Sequence, residues 1–156
     1  MKYYIIAGEA SGDLYGSRLI TELKLLDNNA EIRFWGGDKM ILSGGIIVKH
    51  IKELAFMGFY EVIKNIHKIF GNISLCKKDI LAFNPDKIIY IDYPGFNLRI
   101  CDWAKKKGFS NYYYISPQIW AWKERRIKKI KRNIDKLYVI FPFEKKYYNE
   151  KHNLDT

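Results

Sequence analysis

The chain contains no apolar run near the roughly 20 residues needed to cross a bilayer. Stretches such as Tyr112 to Ile115 and Tyr138 to Phe143 fall far short of it. A membrane-spanning helix is therefore not expected. Met1 and Lys2 lead directly into a short β-type run and then Gly8-Glu9, without the long apolar region and small-residue cleavage site of a secretory signal. That pattern predicts a cytoplasmic protein. Cysteine is scarce, with only Cys76 and Cys101, far apart, in no CxxC spacing and with no histidine beside them. Neither a disulfide framework nor a metal set is expected, and buried reduced thiols are. The glycines make neither the GxGxxG of a dinucleotide fold nor the GK[ST] of a phosphate-binding P-loop. With 4 prolines and no Ser/Pro-rich linker or repeat, the 156 residues read as one globular domain.

What the chain has in excess is positive charge and aromatic surface. A formal net charge of +10 calls for an anionic partner, whether nucleic acid, acidic lipid or a phosphorylated substrate. Aromatics at 16% suit both base stacking and the membrane interface, so they do not choose among these.

Hydrophobic periodicity organises the chain into alternating elements. Residues 2–7 (KYYIIA) predict a strand ending at Gly8. A helix with Leu14, Leu19, Ile20, Leu23 and Leu26 on one side follows. Residues 31–35 and 46–48 predict the second and third strands, and 60–83 one long helix or two shorter ones, with Gly71-Asn72 as the possible break. Residues 87–91 (KIIYI) are continuously apolar, as a parallel strand buried on both faces requires, and Pro94 stands where a helix would start. Residues 111–115 and 137–141 predict two more strands, separated by a loop and a basic helix. Such alternation implies a Rossmann-like parallel sheet with helices on both faces, because crossovers between parallel strands are right-handed. Ligands of these sheets sit outside the carboxyl ends of the strands.

Three turns at those ends, the basic helix after the third and one apolar connection carry the candidate residues. Gly8-Glu9-Ala10-Ser11-Gly12-Asp13 places glycines and free amides at a helix start, suited to an anion or acceptor oxygen; a plain turn capped by Ser11 or Asp13 fits equally well. Asp92, in Ile91-Asp92-Tyr93-Pro94-Gly95-Phe96-Asn97, puts a carboxylate at a buried strand tip, where it serves either as general base or as a turn and capping residue. Ser116-Pro117-Gln118-Ile119-Trp120-Ala121-Trp122 offers two indoles for ligand stacking or loop ordering, against burial in the core. The helix after it carries Lys123, Arg125, Arg126, Lys128, Lys129, Lys131 and Arg132 opposite Ile127, Ile130 and Ile134. Such a basic amphipathic face is attracted to anionic headgroups at about 1 kcal/mol per cation, or is simply solvated. Residues 53–60 (ELAFMGFY) are apolar where a connection is usually polar, reading as an acyl-chain or membrane contact or as a buried helix start.

Together AGEASGD at 7–13, ELAFMGFYEV at 53–62, NPDKIIYIDYPGFN at 84–97, YISPQIWAWKERRIKKIKR at 114–132 and FPFEKKYY at 141–148 resemble the lipid-A-disaccharide synthase family, in order and spacing across essentially the whole chain. The resemblance implies the N-terminal, acceptor-side half of a GT-B-type glycosyltransferase. On that resemblance, residues 1–156 are expected to form the acceptor-side domain, with a C-terminal UDP-sugar-binding domain absent from them. It implies an inverting transfer from UDP-2,3-diacylglucosamine, bound mainly by the missing half, to 2,3-diacylglucosamine 1-phosphate, without a cofactor or metal. The expected location is the inner face of the inner membrane, peripherally, with no nucleic-acid partner. Matched residue by residue, Asp92 is the general base. Glu9, Ser11 and Asp13 line the acceptor sugar, while Met57, Gly58 and Glu61 lie where acyl chains or bilayer dock. Asn97, Ser116, Trp120 and Trp122 belong to the substrate site, and Arg126 meets the acceptor phosphate. Some family members carry an acid at position 95; Gly95 leaves any base role to Asp92. Two alternatives are a basic nucleic-acid-binding module and a non-catalytic membrane-surface module. The carboxylates Glu9, Asp13, Glu61 and Asp92 weigh against the first, since they would repel a phosphate backbone.

Overall fold

The computed structural model describes residues 1–54, 66–119 and 124–156, and all structural statements concern these. Six parallel strands form one sheet: β1 (Lys2–Ala7), β2 (Glu31–Gly36), β3 (Ile46–His50), β4 (Lys87–Ile91), β5 (Asn111–Tyr114) and β6 (Lys136–Tyr138). Their order is β3-β2-β1-β4-β5-β6. The helices are α1 (Ala10–Leu26), α2 (Asp38–Ser43), α3 (Ile66–Phe83), α4 (Pro94–Lys106), α5 (Ile127–Asn133) and α6 (Pro142–Lys146). The α/β fold class expected from the alternation is thus the observed one.

The central strands are buried on both faces, which explains their unbroken apolar sequences. Ile5 pairs with Phe34 on one side and with Ile89 on the other. One face packs Tyr4, Ile6, Tyr90 and Tyr113 against Ile73, Cys76 and Ile80 of α3, Ile100 and Ala104 of α4, and Ile127 and Ile130 of α5. The other packs Ile5, Phe34, Ile89 and Ile91 against Ile20 of α1 and Met40 of α2. Polar atoms inside the first layer are paired: Trp35 Nε1 donates to Tyr4 Oη at 2.9 Å, and Tyr90 Oη donates to Asn111 Oδ1 at 2.9 Å. Both cysteines are fully buried and unbonded to each other.

One open alternative is settled, and two details depart from the sequence reading. Within its described length α3 runs unbroken through Gly71-Asn72, because Ile73, Cys76 and Ile80 hold the core face while Gly71 faces solvent. Leu26, counted on the apolar side of the first helix, is exposed, as are Phe70 and Leu81 of α3. The sixth strand stops at Tyr138 instead of reaching Phe141. Its neighbour β5 turns away at Ile115, whose φ is 68°, and the Ser116 amide takes the Tyr138 carbonyl, so nothing remains for later residues to pair with.

The sheet order reverses direction between β1 and β4, since the chain leaves β1 toward β2 and leaves β4 toward β5. In open parallel sheets that reversal opens a crevice between the two departing turns. Here the turns are Gly8-Glu9 and Asp92-Tyr93.

Candidate functional site

The crevice is a cleft of about 620 Å³, lined by Gly8, Glu9 and Ala10 from the first turn, by Ile51, Lys52 and Leu54, by Ile69 of α3, and by Tyr93, Gly95, Phe96 and Arg99. Its walls are mostly apolar, with Glu9, Lys52 and Arg99 as charged exceptions. Beside it lies a second cleft of about 420 Å³, lined by Pro94, Gly95, Leu98, Arg99, Arg125, Arg126 and Lys129. Gly95 and Arg99 belong to both.

Glycine at position 8 has a geometric reason. A Cβ there would meet the Tyr93 ring at 2.3 Å, so only glycine lets that ring lie across the first turn. Tyr93 stacks on Phe96 at 5.6 Å, and Phe96 lies 5.3 Å from Trp35, so the cleft floor is anchored to the core by a chain of rings.

Asp92 and Tyr93 both hold left-handed backbone angles, with φ of 43° and 48°. Such angles cost a non-glycine residue about 1–3 kcal/mol and persist only where surrounding contacts over-determine them. Those contacts are visible. The Asp92 carbonyl accepts from Tyr113 Oη at 2.6 Å and from Asn97 Nδ2 at 2.8 Å, with the same Asn97 amide also within 3.4 Å of the Ile6 and Ile91 carbonyls. The main chain of Asp92 is therefore clamped, while among the described residues its carboxylate forms no ion pair and has the Tyr93 amide beside it. Partial burial is the main reason that its pKa lies above the ordinary aspartate value, and the nearby Glu9 carboxylate adds to the rise. Asp92 does not cap α4, whose N-cap is Tyr93, without a side-chain cap bond. Nor does Asp92 itself line either cleft; the nearby Glu9 and its sequence neighbour Tyr93 do.

The remaining sequence candidates divide. Glu9 and Ser11 are exposed at the start of α1, and Glu9 faces the cleft. Arg126 is half-buried and lines the cationic cleft. Three candidates have other employment. Asp13 is buried, and its carboxylate accepts from the amides of Gly37 at 2.7 Å, Lys39 at 3.1 Å and Met40 at 3.1 Å, so it fastens the start of α2 instead of lining a sugar. Gly37 is what admits it, since a Cβ there would come 2.7 Å from Asp13 Oδ2. Asn97 is fully buried and serves as the clamp on Asp92, not as a ligand contact. Ser116 is buried with its hydroxyl shared between Tyr148 Oη and the Pro117 carbonyl, tying the exit of β5 to the chain's last helical turns. Met57, Gly58, Glu61, Trp120 and Trp122 lie outside the described residues.

Sequence reading passed over Tyr93, Phe96 and Arg99. Arg99 had one usable signal, its position four residues after Gly95, one helical turn along the same face. Among the described residues no group of three or more His, Cys, Asp or Glu converges to hold a metal. No helix of the described residues is long and apolar enough to cross a membrane.

Solved structures share this fold. A putative UDP-N-acetylglucosamine 2-epimerase from Listeria monocytogenes superposes with a TM-score of 0.62 at 10% identity, covering 96% of this chain and 41% of that one. UDP-GlcNAc 2-epimerase from Neisseria meningitidis gives 0.59 at 12% identity, covering 89% and 40%. Sequence relatives are far more similar. The lipid-A-disaccharide synthase of Coxiella burnetii (strain Dugway 5J108-111) is 40% identical over 148 residues, 95% of this chain and 39% of that protein. That of Trichlorobacter lovleyi is 44% identical over 146 residues, 94% of this chain and 38% of that protein. Lipid-A-disaccharide synthase 1 of Legionella pneumophila (strain Paris) is 45% identical over 148 residues, covering 92% and 38%. The chain thus spans about two fifths of the length of the relatives it matches. A family model described as lipid-A-disaccharide synthetase matches residues 3–156, and the chain belongs to that family.

Proposed function

We propose that this chain is the acceptor-side half of an inverting glycosyltransferase. The transfer joins UDP-2,3-diacylglucosamine to 2,3-diacylglucosamine 1-phosphate, giving a β-1,6-linked lipid A disaccharide 1-phosphate. The acceptor's 6-hydroxyl attacks C1 of the donor sugar as the bond from C1 to UDP breaks. Asp92 takes the hydroxyl proton while the new bond forms. A sugar hydroxyl is too weakly acidic to ionise beforehand, so a positioned base is worth about 10²–10⁴ in rate. Release of the diphosphate needs positive charge or amides, a task this reading leaves to a donor-side half.

The observation that carries the reading is the state of Asp92. Its carbonyl is clamped by Tyr113 and Asn97, its carboxylate is not consumed as a cap, and burial together with Glu9 raises its proton affinity. A base held in a strained conformation beside an amphiphile-sized cleft suits proton transfer from a lipid-borne sugar. Glu9 and Ser11 meet the acceptor sugar, and the apolar cleft takes part of its acyl chains. Leu54 and Ile69, which line that cleft, bracket in sequence the Met57, Gly58 and Glu61 stretch to which the family correspondence gives the same task. The family correspondence assigns Trp120 and Trp122 to the sugar as well. The exposed cations of α5, among them Lys128, Lys131 and Arg132, hold the protein peripherally on an anionic inner-membrane surface.

Titration of a short-chain 2,3-diacylglucosamine 1-phosphate into the chain, followed by amide resonances, tests this. Shifts concentrated at Glu9, Tyr93, Phe96 and Arg99 are expected. Absence of binding, or shifts confined to the opposite edges of the sheet, would defeat the assignment. With both lipid substrates and no donor-side half, the chain is expected to form no product; turnover near an enzyme's rate would contradict the division of labour.

A further inference from the structure

Several surface cations near the end of the sheet have carboxylate partners. Arg132 and Lys106 pair with Asp102, Lys105 with Asp135, Lys136 with Asp155 and Lys151 with Glu124. Arg99, Arg125, Arg126 and Lys129 form no ion pair among the described residues, and what sets them apart from other unpaired cations is that all four line the same 420 Å³ cleft. The acid next to them in sequence, Glu124, is turned away to Lys151, His152 and Tyr147. Arg125 and Lys129 are four residues apart, so they present one face of the segment that packs on α4, and Arg99 faces them from α4 itself. Pro94 and Gly95, the first two residues of the 13-residue α4, complete the wall and add the positive end of the helix dipole. Four like charges around a concavity repel one another, and this arrangement is relieved by a polyvalent anion that accepts several charge-assisted hydrogen bonds.

The cationic cleft is continuous with the apolar one through Gly95 and Arg99. An occupant of both is an amphiphile bearing a phosphate, with its chain on Tyr93, Phe96, Leu54 and Ile69 and its charge among the arginines. We infer that Arg99, Arg125 and Lys129, together with Arg126, form the subsite for the sugar-linked phosphate of the acceptor, with Arg99 at the junction fixing how far the phosphate stands from the acyl chains. This rests on the acceptor reading above and adds to it the residues that select a phosphorylated lipid sugar over the unphosphorylated one. Guanidinium groups at this junction match a phosphate through paired N–H donors, which an ammonium does not reproduce.

Calorimetric titration of the chain with 2,3-dihexanoylglucosamine 1-phosphate and with the same sugar lacking the phosphate tests the subsite. The phosphorylated probe is expected to bind tighter by about tenfold or more. Arg99→Gln, and separately Arg125→Gln with Lys129→Gln, remove most of that preference and leave affinity for the neutral probe within about twofold. Lys128→Gln with Lys131→Gln, which removes two exposed charges outside the cleft, preserves it. Arg99→Lys restores only part of it. A preference unchanged in the cleft variants, or lost equally in the Lys128 and Lys131 control, overturns the inference. Equal binding of the two probes to the parent chain overturns it while leaving the acceptor reading standing; binding of neither removes both. Phosphatidylglycerol vesicles separate the sugar phosphate from lipid headgroups, because the cleft variants should lose no more vesicle affinity than the control. A selective loss on vesicles with an intact probe preference would reassign the cleft to the bilayer and refute the subsite. All the altered side chains are at the surface, and thermal melts within a few degrees of the parent confirm that each variant is folded.

Discussion

Replacing Asp13 by alanine separates a residue that holds the fold from one that touches the substrate. Its carboxylate is 4% exposed and accepts three amide hydrogen bonds, two at Oδ1 from Gly37 and Met40 and one at Oδ2 from Lys39. A hydrogen bond to a charged group contributes about 1.5–3 kcal/mol net when buried. The Gly37 and Met40 bonds are buried, whereas the Lys39 bond is partly open and water replaces it. Loss of the two buried bonds should therefore destabilise the chain by about 3–6 kcal/mol, more than an ordinary helix cap. For a domain of this size that lowers the melting midpoint by about 6–24 °C. Asparagine keeps an acceptor at Oδ1 and gives up the Lys39 bond alone, so Asp13→Asn should cost about 1 kcal/mol. Circular dichroism during urea and thermal unfolding measures both. If Asp13→Ala falls within about 1 kcal/mol of the parent, or if alanine and asparagine are equivalent, the capping account is wrong. Acceptor-analogue affinity measured well below the midpoint should be unchanged. Lost affinity with intact stability would return Asp13 to the substrate site.

Asp92→Asn should raise stability at pH 7 by more than at pH 3. The folded chain binds the Asp92 proton more tightly than the unfolded chain does. Stability from this group is therefore complete below the ordinary aspartate range and declines as pH rises through the raised folded value, a cost asparagine does not carry. Thermal midpoints at the two pH values check the sign. Tyr113→Phe removes one of two donors to the Asp92 carbonyl and should cost about 1 kcal/mol in urea unfolding, and Asn97→Ala more, because a fully buried side chain is also lost. Cys101, its thiol pushed up to about 12 by burial, and the equally buried Cys76 should resist a thiol reagent at pH 8 until denaturant is added, when both react; fast labelling of either in the native chain would contradict their packing.

The sheet was legible because its central strands are apolar on both faces, and KIIYI admits few other readings. Helix α4 was legible because Pro94 is favourable at a first turn and nowhere later. The end of β6 was not, since it depends on Ile115 adopting a left-handed angle and removing the partner strand, a tertiary event that no local preference announces. In the site, sequence placed Asp92 and Glu9 at adjacent turns, and the structure brings them close enough for one to raise the other's pKa. It could not distinguish Asp13 from Glu9, two acids in one motif. Glu9 is the extended N-cap ahead of α1 and is exposed, whereas Asp13 lies inside the first turn and reaches α2, and only the position of Gly37 shows this. Asn97 and Ser116 looked like polar ligand contacts because buried polar residues and site residues share a composition; their partners are main-chain carbonyls and Tyr148. Arg99 escaped because its importance comes from α4 packing against α5, across a gap of 26 residues to Arg125.

The role of Asp92 is tested most directly by the carbon resonance of its own carboxyl group, followed by NMR through a pH titration of the chain alone and with a soluble acceptor analogue. The apparent pKa should lie above the ordinary aspartate value and fall in Glu9→Gln, which removes a neighbouring negative charge. The analogue with a 6-hydroxyl should move the resonance, and its 6-deoxy counterpart should bind without doing so. An ordinary or depressed pKa, indifferent to Glu9, together with identical responses to the two analogues, would contradict a carboxylate poised to take the acceptor's proton.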